Sequence, residues 1–323
     1  MKKILLTLFV TMLPLVSCVK SRDVYVGSSD ARQISFSPLA QPVTKAAVEG
    51  TTFPNQAMYV AAYDATAGAN YFDATAFSQD GSTGSWKSSP ATFWPLNTAT
   101  LNFLAYSGVS SGATWDATHP ASGVEIVLAD NATNQYDLMY ACGRQSRTSG
   151  SAATSIAMPF KHALALIKFT ACTAANYGDR MKITSIVLIG AHYAGTYRVT
   201  HTGWNSATDA QSVAGAWDSV GSEANVSITP SWENENAVTT TAQQVGAGIL
   251  VVPDDNDTRD DYSGFTINYT IDGHGYSYNY TPADLDVHQA KKYIFAISMT
   301  LNEIVIVPSV VDYAEEGNNG VTI

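Results

Sequence analysis

The sequence predicts an all-β chain built as β-sandwich domains. Three observations carry that prediction. Short segments alternating apolar and polar residues recur along the chain, separated by turn-forming clusters of Gly, Asp, Asn and Ser. No stretch has a convincing helical period of apolar positions. Aromatic residues make up 11% of the chain and charged residues only 14%, the composition of a folded β-rich surface protein rather than a disordered one. With 323 residues the chain can bury two cores of ordinary size, or one large one.

The first stretch, Met1 to Val16, has Lys2 and Lys3, an apolar run from Ile4 to Val10, and then Leu15-Val16-Ser17-Cys18. This is the pattern of a bacterial lipoprotein signal peptide spanning residues 1–17, with the Cys18 thiol as the nucleophile that takes a diacylglycerol. A secretory signal with an incidental cysteine is the plainer alternative. A spanning anchor is disfavoured, because the run is shorter than the roughly 20 residues that cross a bilayer. Val19 to Asp30 is polar and tether-like. Arg32-Gln33-Ile34-Ser35-Phe36-Ser37 alternates as a half-buried strand, closed by Pro38 and Pro42. Val43-Thr44-Lys45-Ala46 follows, a basic site in a proline-flanked stretch suited to a trypsin-like protease, with Arg32 as the second candidate.

Strands are expected at Met58 to Tyr63, Ala69 to Ser78, Leu101 to Tyr106, Val124 to Leu128 and Tyr136 to Ala141. Arg144 to Ser155 reads as a Ser/Thr/Gly loop or boundary. Domain limits are therefore expected at 46–155 and 156–323, preceded by a propeptide at 18–45. Periodicity leaves Met158 to Phe169 open between helix and strand; Pro159, the β-branched residues and the all-β surroundings favour strand. Ile183 to Ile189 and Gly195 to Thr200 are strands, and the polar stretch from there to about Ser222 is a long loop. Val226 to Thr229, Val245 to Val252 and Phe265 to Ile271 follow. Asp272-Gly273-His274-Gly275 supplies positive-φ residues for a tight hairpin returning through Tyr276, Tyr278 and Tyr280. Lys291 to Leu301, Ile304 to Val307 and Val310 to Tyr313 end the chain ahead of glycines.

The charge excludes one class of partner. The net charge is −11, and removal of residues 1–45, with six basic and two acidic side chains, takes it to −15. Nucleic acid, which needs a basic face, is not an expected partner. None of His119, His162, His192, His201, His274 and His288 stands at metal-ligand spacing, and no metal or cofactor is expected. The expectation is no catalytic residue: nucleophile elbow, zinc-protease and phosphate-loop motifs are all missing. His162, beside Phe160, reads as a half-buried structural histidine. Asp254 to Asp261 is acidic enough for Ca²⁺ but lacks EF-hand spacing, and a solvated loop is the plainer reading. Cys142 and Cys172 read as buried free thiols or a disulfide, free thiols first. Trp204, Trp217 and Trp232 are candidate sugar-stacking platforms, with core packing as the plainer reading.

Taken together, the lipoprotein-type start, the Ile34-Ser35-Phe36 strand, Thr44-Lys45-Ala46, Phe160-Lys161-His162-Ala163-Leu164-Ala165 and the closing Ile304 to Tyr313 resemble the fimbrillin family of Bacteroidales type V pilus subunits. Tyr313 stands where many relatives would carry Trp, and the basic residue at the cut is Lys45 rather than Arg. The resemblance implies two tandem transthyretin-like β-sandwich domains and an outer-membrane, lipidated precursor. A protease would cut between Lys45 and Ala46, removing the strand that carries Ile34 and Phe36. A neighbouring pilin subunit would then fill the groove, in a homo- or hetero-polymer of adhesive, non-enzymatic subunits at the cell surface, with host or bacterial surface ligands as further partners. The physics of that step is general: a sandwich deprived of a strand exposes an apolar groove and unpaired backbone. The expected donor is Ile304 to Ile323, with Ile304, Ile306, Val310, Val311 and Tyr313 on the inserting segment. The alternative classes are a surface glycan-binding lipoprotein that keeps residues 19–45, and a secreted hydrolase with carboxylates clustered in a cleft.

Overall fold

The computed structural model describes residues 29–39, 57–81, 84–108, 114–115, 124–128, 135–199, 213–221, 223–232, 236–253, 262–282, 285–312 and 321–322. These form strands and short 3-10 turns, with no α-helix among the described residues. The strands are β1 (Phe36–Leu39), β2 (Met58–Asp64), β3 (Ala69–Gln79), β4 (Trp86–Ser88), β5 (Ala99–Ser107), β6 (Thr114–Trp115), β7 (Val124–Val127) and β8 (Met139–Arg147). Next come β9 (Ile156–Pro159), β10 (Lys161–His162), β11 (Ala165–Thr173), β12 (Met181–His192), β13 (Ala194–Arg198), β14 (Ala216–Val220) and β15 (Glu223–Ile228). The last are β16 (Gln243–Gln244), β17 (Ile249–Val251), β18 (Gly264–Ile271), β19 (His274–Tyr280), β20 (Lys291–Met299), β21 (Ile304–Asp312) and β22 (Val321–Thr322).

The first half is dominated by one eight-stranded sheet in the order β10-β8-β5-β2-β3-β4-β1-β9. At its centre, around β5, it buries both faces, which explains why β5 reads as an almost unbroken apolar run. Leu101, Phe103 and Ala105 face one cluster with Ile34, Phe36, Met58, Val60, Phe77, Trp86, Trp94, Ile156 and Met158. Nearly all of these come from the same sheet, so the sheet curls around its own core. Gly143 marks the closure: a Cβ there would lie 2.5 Å from Met158 Sδ, so only glycine lets β8 approach β9. The alternate residues Leu104 and Tyr106 face a second cluster with Tyr140, Tyr197, Val199, Trp217, Leu164, Leu166, Leu250 and Val252. That face is covered by the small sheet β14-β13-β7-β6.

The second half is a sandwich of two sheets, β16-β11-β20-β21-β22 with β17 on β11, and β15-β12-β18-β19. Between them lie Phe169, Ile183, Ile186, Leu188, Phe265, Ile267, Phe295 and Ile297, with Phe169, Phe265 and Phe295 in mutual ring contact. The hairpin β18–β19 turns at Asp272 and Gly273, both at positive φ (50° and 80°), the geometry that an Asp-Gly pair supplies.

Several expectations change. Arg144 to Arg147 is not loop but the end of β8: Arg144 Nη1 donates to Asn102 Oδ1 at 2.9 Å, and Arg147 donates to Pro95 O and Ser151 O, so polar side chains find partners in β5 and in the adjoining loops. The polar stretch before Ser222 contains β14, paired with β13 through Tyr197↔Trp217. Met158 to Phe169 is strand, but broken into the end of β9, β10 and the start of β11. Val310 to Tyr313 is not a separate strand, since β21 runs unbroken from Ile304 to Asp312 through Pro308. The chain leaves the first sheet after β10, beyond Ser155, and β7 pairs with β13 across the expected 155/156 limit.

Candidate functional site

The site begins with a short segment that the rest of the first sheet surrounds. Ser29–Arg32 forms one 3-10 turn, and the chain then enters the sheet. Its backbone is tied at each step: Ala153 N donates to Ala31 O (2.7 Å), Trp94 N to Arg32 O (2.9 Å), Ile34 N to Thr92 O (2.9 Å) and Ile156 N to Ser35 O (2.9 Å). β1 then lies between β4, antiparallel through Phe36↔Trp86, and β9, parallel from Phe36↔Ile156 to Leu39↔Pro159. It is an interior strand, although its chain neighbours in sequence lie elsewhere.

Ile34 and Phe36 are both 0% exposed. The Phe36 ring meets Phe77 edge-on at 4.8 Å and Phe103 at 5.2 Å. Burying an Ile and a Phe is worth about 1.5–3 kcal/mol each, so the two side chains hold the segment with roughly 3–6 kcal/mol before any backbone pairing is counted. Arg32 adds a clasp from outside the strand, donating from Nη1 to Trp94 O at 3.3 Å with its guanidinium 5.9 Å from the Phe93 ring centroid. Tyr71 donates to Phe93 O at 2.6 Å in the same corner, and burial raises its hydroxyl pKa against the opposing pull of Arg32.

Removal of this segment would leave a slot walled by Phe77, Trp86, Phe103, Ile156 and Met158, with open backbone groups on β4 and β9. Such a slot accepts an extended strand with two apolar side chains spaced i, i+2. The sequence reading found Ile34 and Phe36 from their alternation. It missed Arg32 as a structural clasp and β9 as the parallel partner, for which the alternation of Ile156 and Met158 was the available signal.

The expected donor segment lies in the second half. β21 pairs along its whole length with β20, and on its other side, among the described residues, Ser309 and Val310 pair with β22. Ile304, Ile306 and Val310 are half-buried against the second core, Val311 is buried, and Val305 and Val307 are each 45% exposed. Cys18, Lys45, Ala46 and Tyr313 lie outside the described residues, as do His119, His201, Trp204 and Asp254 to Asp261.

Other candidates resolve as structure. His162 is buried, and its Nδ1 lies 2.9 Å from Oδ2 of Asp137, also buried. Its backbone carbonyl accepts from Gln289 Nε2 at 3.2 Å, so the pair sits where the two halves join. Trp217 is 6% exposed and donates Nε1–H to Ala163 O at 2.8 Å, which makes it core rather than a sugar platform. Trp232 is tied by its indole N–H to Gln244 O. Cys142 and Cys172 are both free; Cys142 is buried, and burial pushes its thiol up to about 12, while Cys172 is only half-buried. Among the described residues, no group of His, Cys, Asp and Glu is placed to hold a metal ion, and no helix is long and apolar enough to cross a membrane.

Comparison with known proteins adds the deciding observation. A family model described as fimbrillin-like matches residues 44–312, most of the chain. The chain belongs to the fimbrillin-like family. Solved structures share the fold, among them two with TM-scores above 0.5. A protein from Bacteroides uniformis described as a cell adhesion protein is 14% identical, with a TM-score of 0.58 over 89% of this chain and 100% of its own. A cell adhesion protein from Bacteroides ovatus is 12% identical, with a TM-score of 0.53 over 89% of this chain and 99% of its own. No curated protein sequence matches. The fimbrillin-like family is one of structural fimbrial subunits. The fimbrillin-like match begins at residue 44, so β1 lies ahead of it.

Proposed function

We propose that this fimbrillin-like chain is a polymerising, adhesive subunit of a cell-surface fimbria, stored as a precursor whose assembly groove is filled by its own first strand. The observation that carries the reading is β1: a four-residue strand in the interior of a sheet, with Ile34 and Phe36 fully buried, at the start of the described chain. In this reading the chain is exported as a lipoprotein, Cys18 holds it at the outer membrane, and a trypsin-like protease cuts between Lys45 and Ala46. The segment up to Lys45 departs, and the C-terminal strand of a neighbouring copy replaces it. The two halves, near 46–155 and 156–323, act as the groove-bearing and donor-bearing domains.

Arg32 is the less suitable cut. Its carbonyl accepts from Trp94, its guanidinium is held on Trp94 O, and the bond after it is drawn into the sheet, whereas a protease needs an extended, accessible backbone. Cleavage after Lys45 also removes the whole of β1 in one piece.

The test is assembly of the full precursor treated with a trypsin-like protease, compared with a chain ending at Glu303. The full chain forms filaments after cleavage and the shortened chain stays monomeric. Filaments from the shortened chain would refute the donor assignment.

A further inference from the structure

The strand that fills the groove and the strand proposed to replace it share a spacing. β1 and the residues before it read Ile34-Ser35-Phe36-Ser37-Pro38, and β21 begins Ile304-Val305-Ile306-Val307-Pro308. In both, Ile and a second large apolar residue stand two apart, so both point to one face, and a proline follows two residues later. We propose that β21 of one copy enters the β1 site of the next in a single register, with Ile304 in the place of Ile34, Ile306 in that of Phe36 and Pro308 in that of Pro38. This rests on the strand-exchange reading above and goes beyond it by fixing which residue meets which.

The proline selects the register. Ile156 N donates to Ser35 O, and β1 runs parallel to β9, so Ser35 and Ser37 turn their backbone groups toward β9 and Phe36 and Pro38 turn theirs toward β4. β4 begins at Trp86, opposite Phe36, so no β4 residue pairs opposite Pro38. A residue without an N–H therefore loses nothing at that position. A slip that brings Pro308 to the Phe36 position removes a donor facing Trp86 and leaves the aromatic pocket without a large side chain. A two-residue slip the other way puts Asn302 into the fully buried Ile34 site, where an unpartnered amide costs about 1–3 kcal/mol. One-residue slips turn the other face inward. They bring either Glu303 into the Ile34 site or Pro308 to the Ser37 position, whose N–H faces β9.

Burial gives the direction of exchange. In their own subunit Ile304 and Ile306 are half-buried, and among the described residues β21 has one full-length neighbour and the two-residue β22. In the groove they would occupy sites that are 0% exposed, that of Phe36 lying between β4 and β9. Among the described residues the spacing recurs at Val226 to Pro230, at Ile249 to Pro253 and at Tyr278 to Pro282, but Val226, Ile228, Ile249 and Val251 are already 3% exposed or less in the second core, and Tyr278 and Tyr280 belong to the β18–β19 hairpin, away from the chain end. Among the described residues, β21 alone combines the spacing with an incompletely buried position near the chain end. The fit is imperfect at one point: Ile306 is smaller than the Phe36 ring that fills the space beside Phe77 and Phe103.

The test uses filaments grown from the protease-treated full chain in a Cys172→Ser background. Ser37 is paired with Ala157 on the exposed face, so the register places Val307 beside Ala157 of the neighbouring copy. Direct neighbours come within disulfide reach, and positions two residues away do not. Ala157→Cys with Val307→Cys is expected to give covalent oligomers on mild oxidation. Ala157→Cys with Val305→Cys, or with Ser309→Cys, is expected to give little. In parallel, Ile306→Phe is expected to speed assembly and Ile306→Asp to stop it. Filaments that cross-link best through position 305 or 309 overturn the register and leave strand exchange standing. Filaments that cross-link through none of the three positions overturn the register and the donor assignment together, and failure of the treated full chain to assemble overturns the polymerisation reading itself.

Discussion

Replacing Phe36 by Ala tests whether the first strand is a plug or an ornament. The side chain is fully buried, with ring contacts to Phe77 and Phe103, and belongs to a cluster that shares no member with the second sandwich core. Removing a buried Phe side chain costs about 3–5 kcal/mol, from lost transfer energy and the cavity left behind. At 1.4 kcal/mol per tenfold, that weakens the hold on β1 by roughly two to three and a half orders of magnitude. Hydrogen exchange read by mass spectrometry separates the consequences. Peptides from β3, β4, β5 and β9 lose protection in the full-length precursor, while those from β18 and β20 keep theirs. In the protease-treated chain the same substitution speeds assembly, because the cut segment leaves sooner. A loss below about 1 kcal/mol in the first sheet, or one spread equally over β18 and β20, would refute the reasoning, since a core Phe deletion lies well above that threshold.

Three further predictions rest on particular contacts. His162→Ala leaves the Asp137 carboxylate buried without its partner and should cost about 3–5 kcal/mol in urea unfolding, whereas replacing both by apolar residues of similar size should cost much less; equal costs would show that the pair contributes nothing specific. The Cys142 thiol, raised to about 12 by burial, should not react with a thiol reagent at pH 8 in the folded Cys172→Ser protein and should react fully in denaturant; rapid labelling of the folded chain would contradict its placement. Arg180 grips Asp272 through two hydrogen bonds of 2.7 and 2.8 Å and, with its charge, holds that carboxyl below its ordinary pKa. A depressed folded pKa stabilises above the ordinary carboxylate value and loses the contribution as pH falls through the depressed one. The melting temperature gap between the protein and Asp272→Asn should therefore be small at neutral pH, because the pair is exposed, and should close in acid; a gap that widens on acidification would reverse the sign.

What could be read from sequence follows how local the deciding physics is. The β18–β19 hairpin was legible because Asp272 and Gly273 both accept positive φ, and β5 because both of its faces are buried. The pairing of β1 with β9 was not, since the alternation of Ile156 and Met158 marks a strand without naming its partner, and Phe36 and Ile156 meet across the first domain. The gap expected between Val307 and Val310 is not there, because the strand passes through Pro308, which stands opposite Phe295 of β20. The Arg144 to Arg147 strand was hidden by its polarity, because its side chains are satisfied by Asn102, Pro95 and Ser151, which sequence spacing does not reveal. At the site, the burial of Ile34 and Phe36 showed through alternation alone, whereas the hydrogen bond from Arg32 to Trp94 O had no signal in the sequence.

The central claim, that β1 fills a groove which another copy must fill in the polymer, is tested most directly by the mass of the subunit inside assembled filaments. Mass spectrometry of filaments purified from cells should give chains that begin at Ala46, with no peptide covering residues 29–39. Filaments whose subunits still carry Ile34 and Phe36 would contradict it.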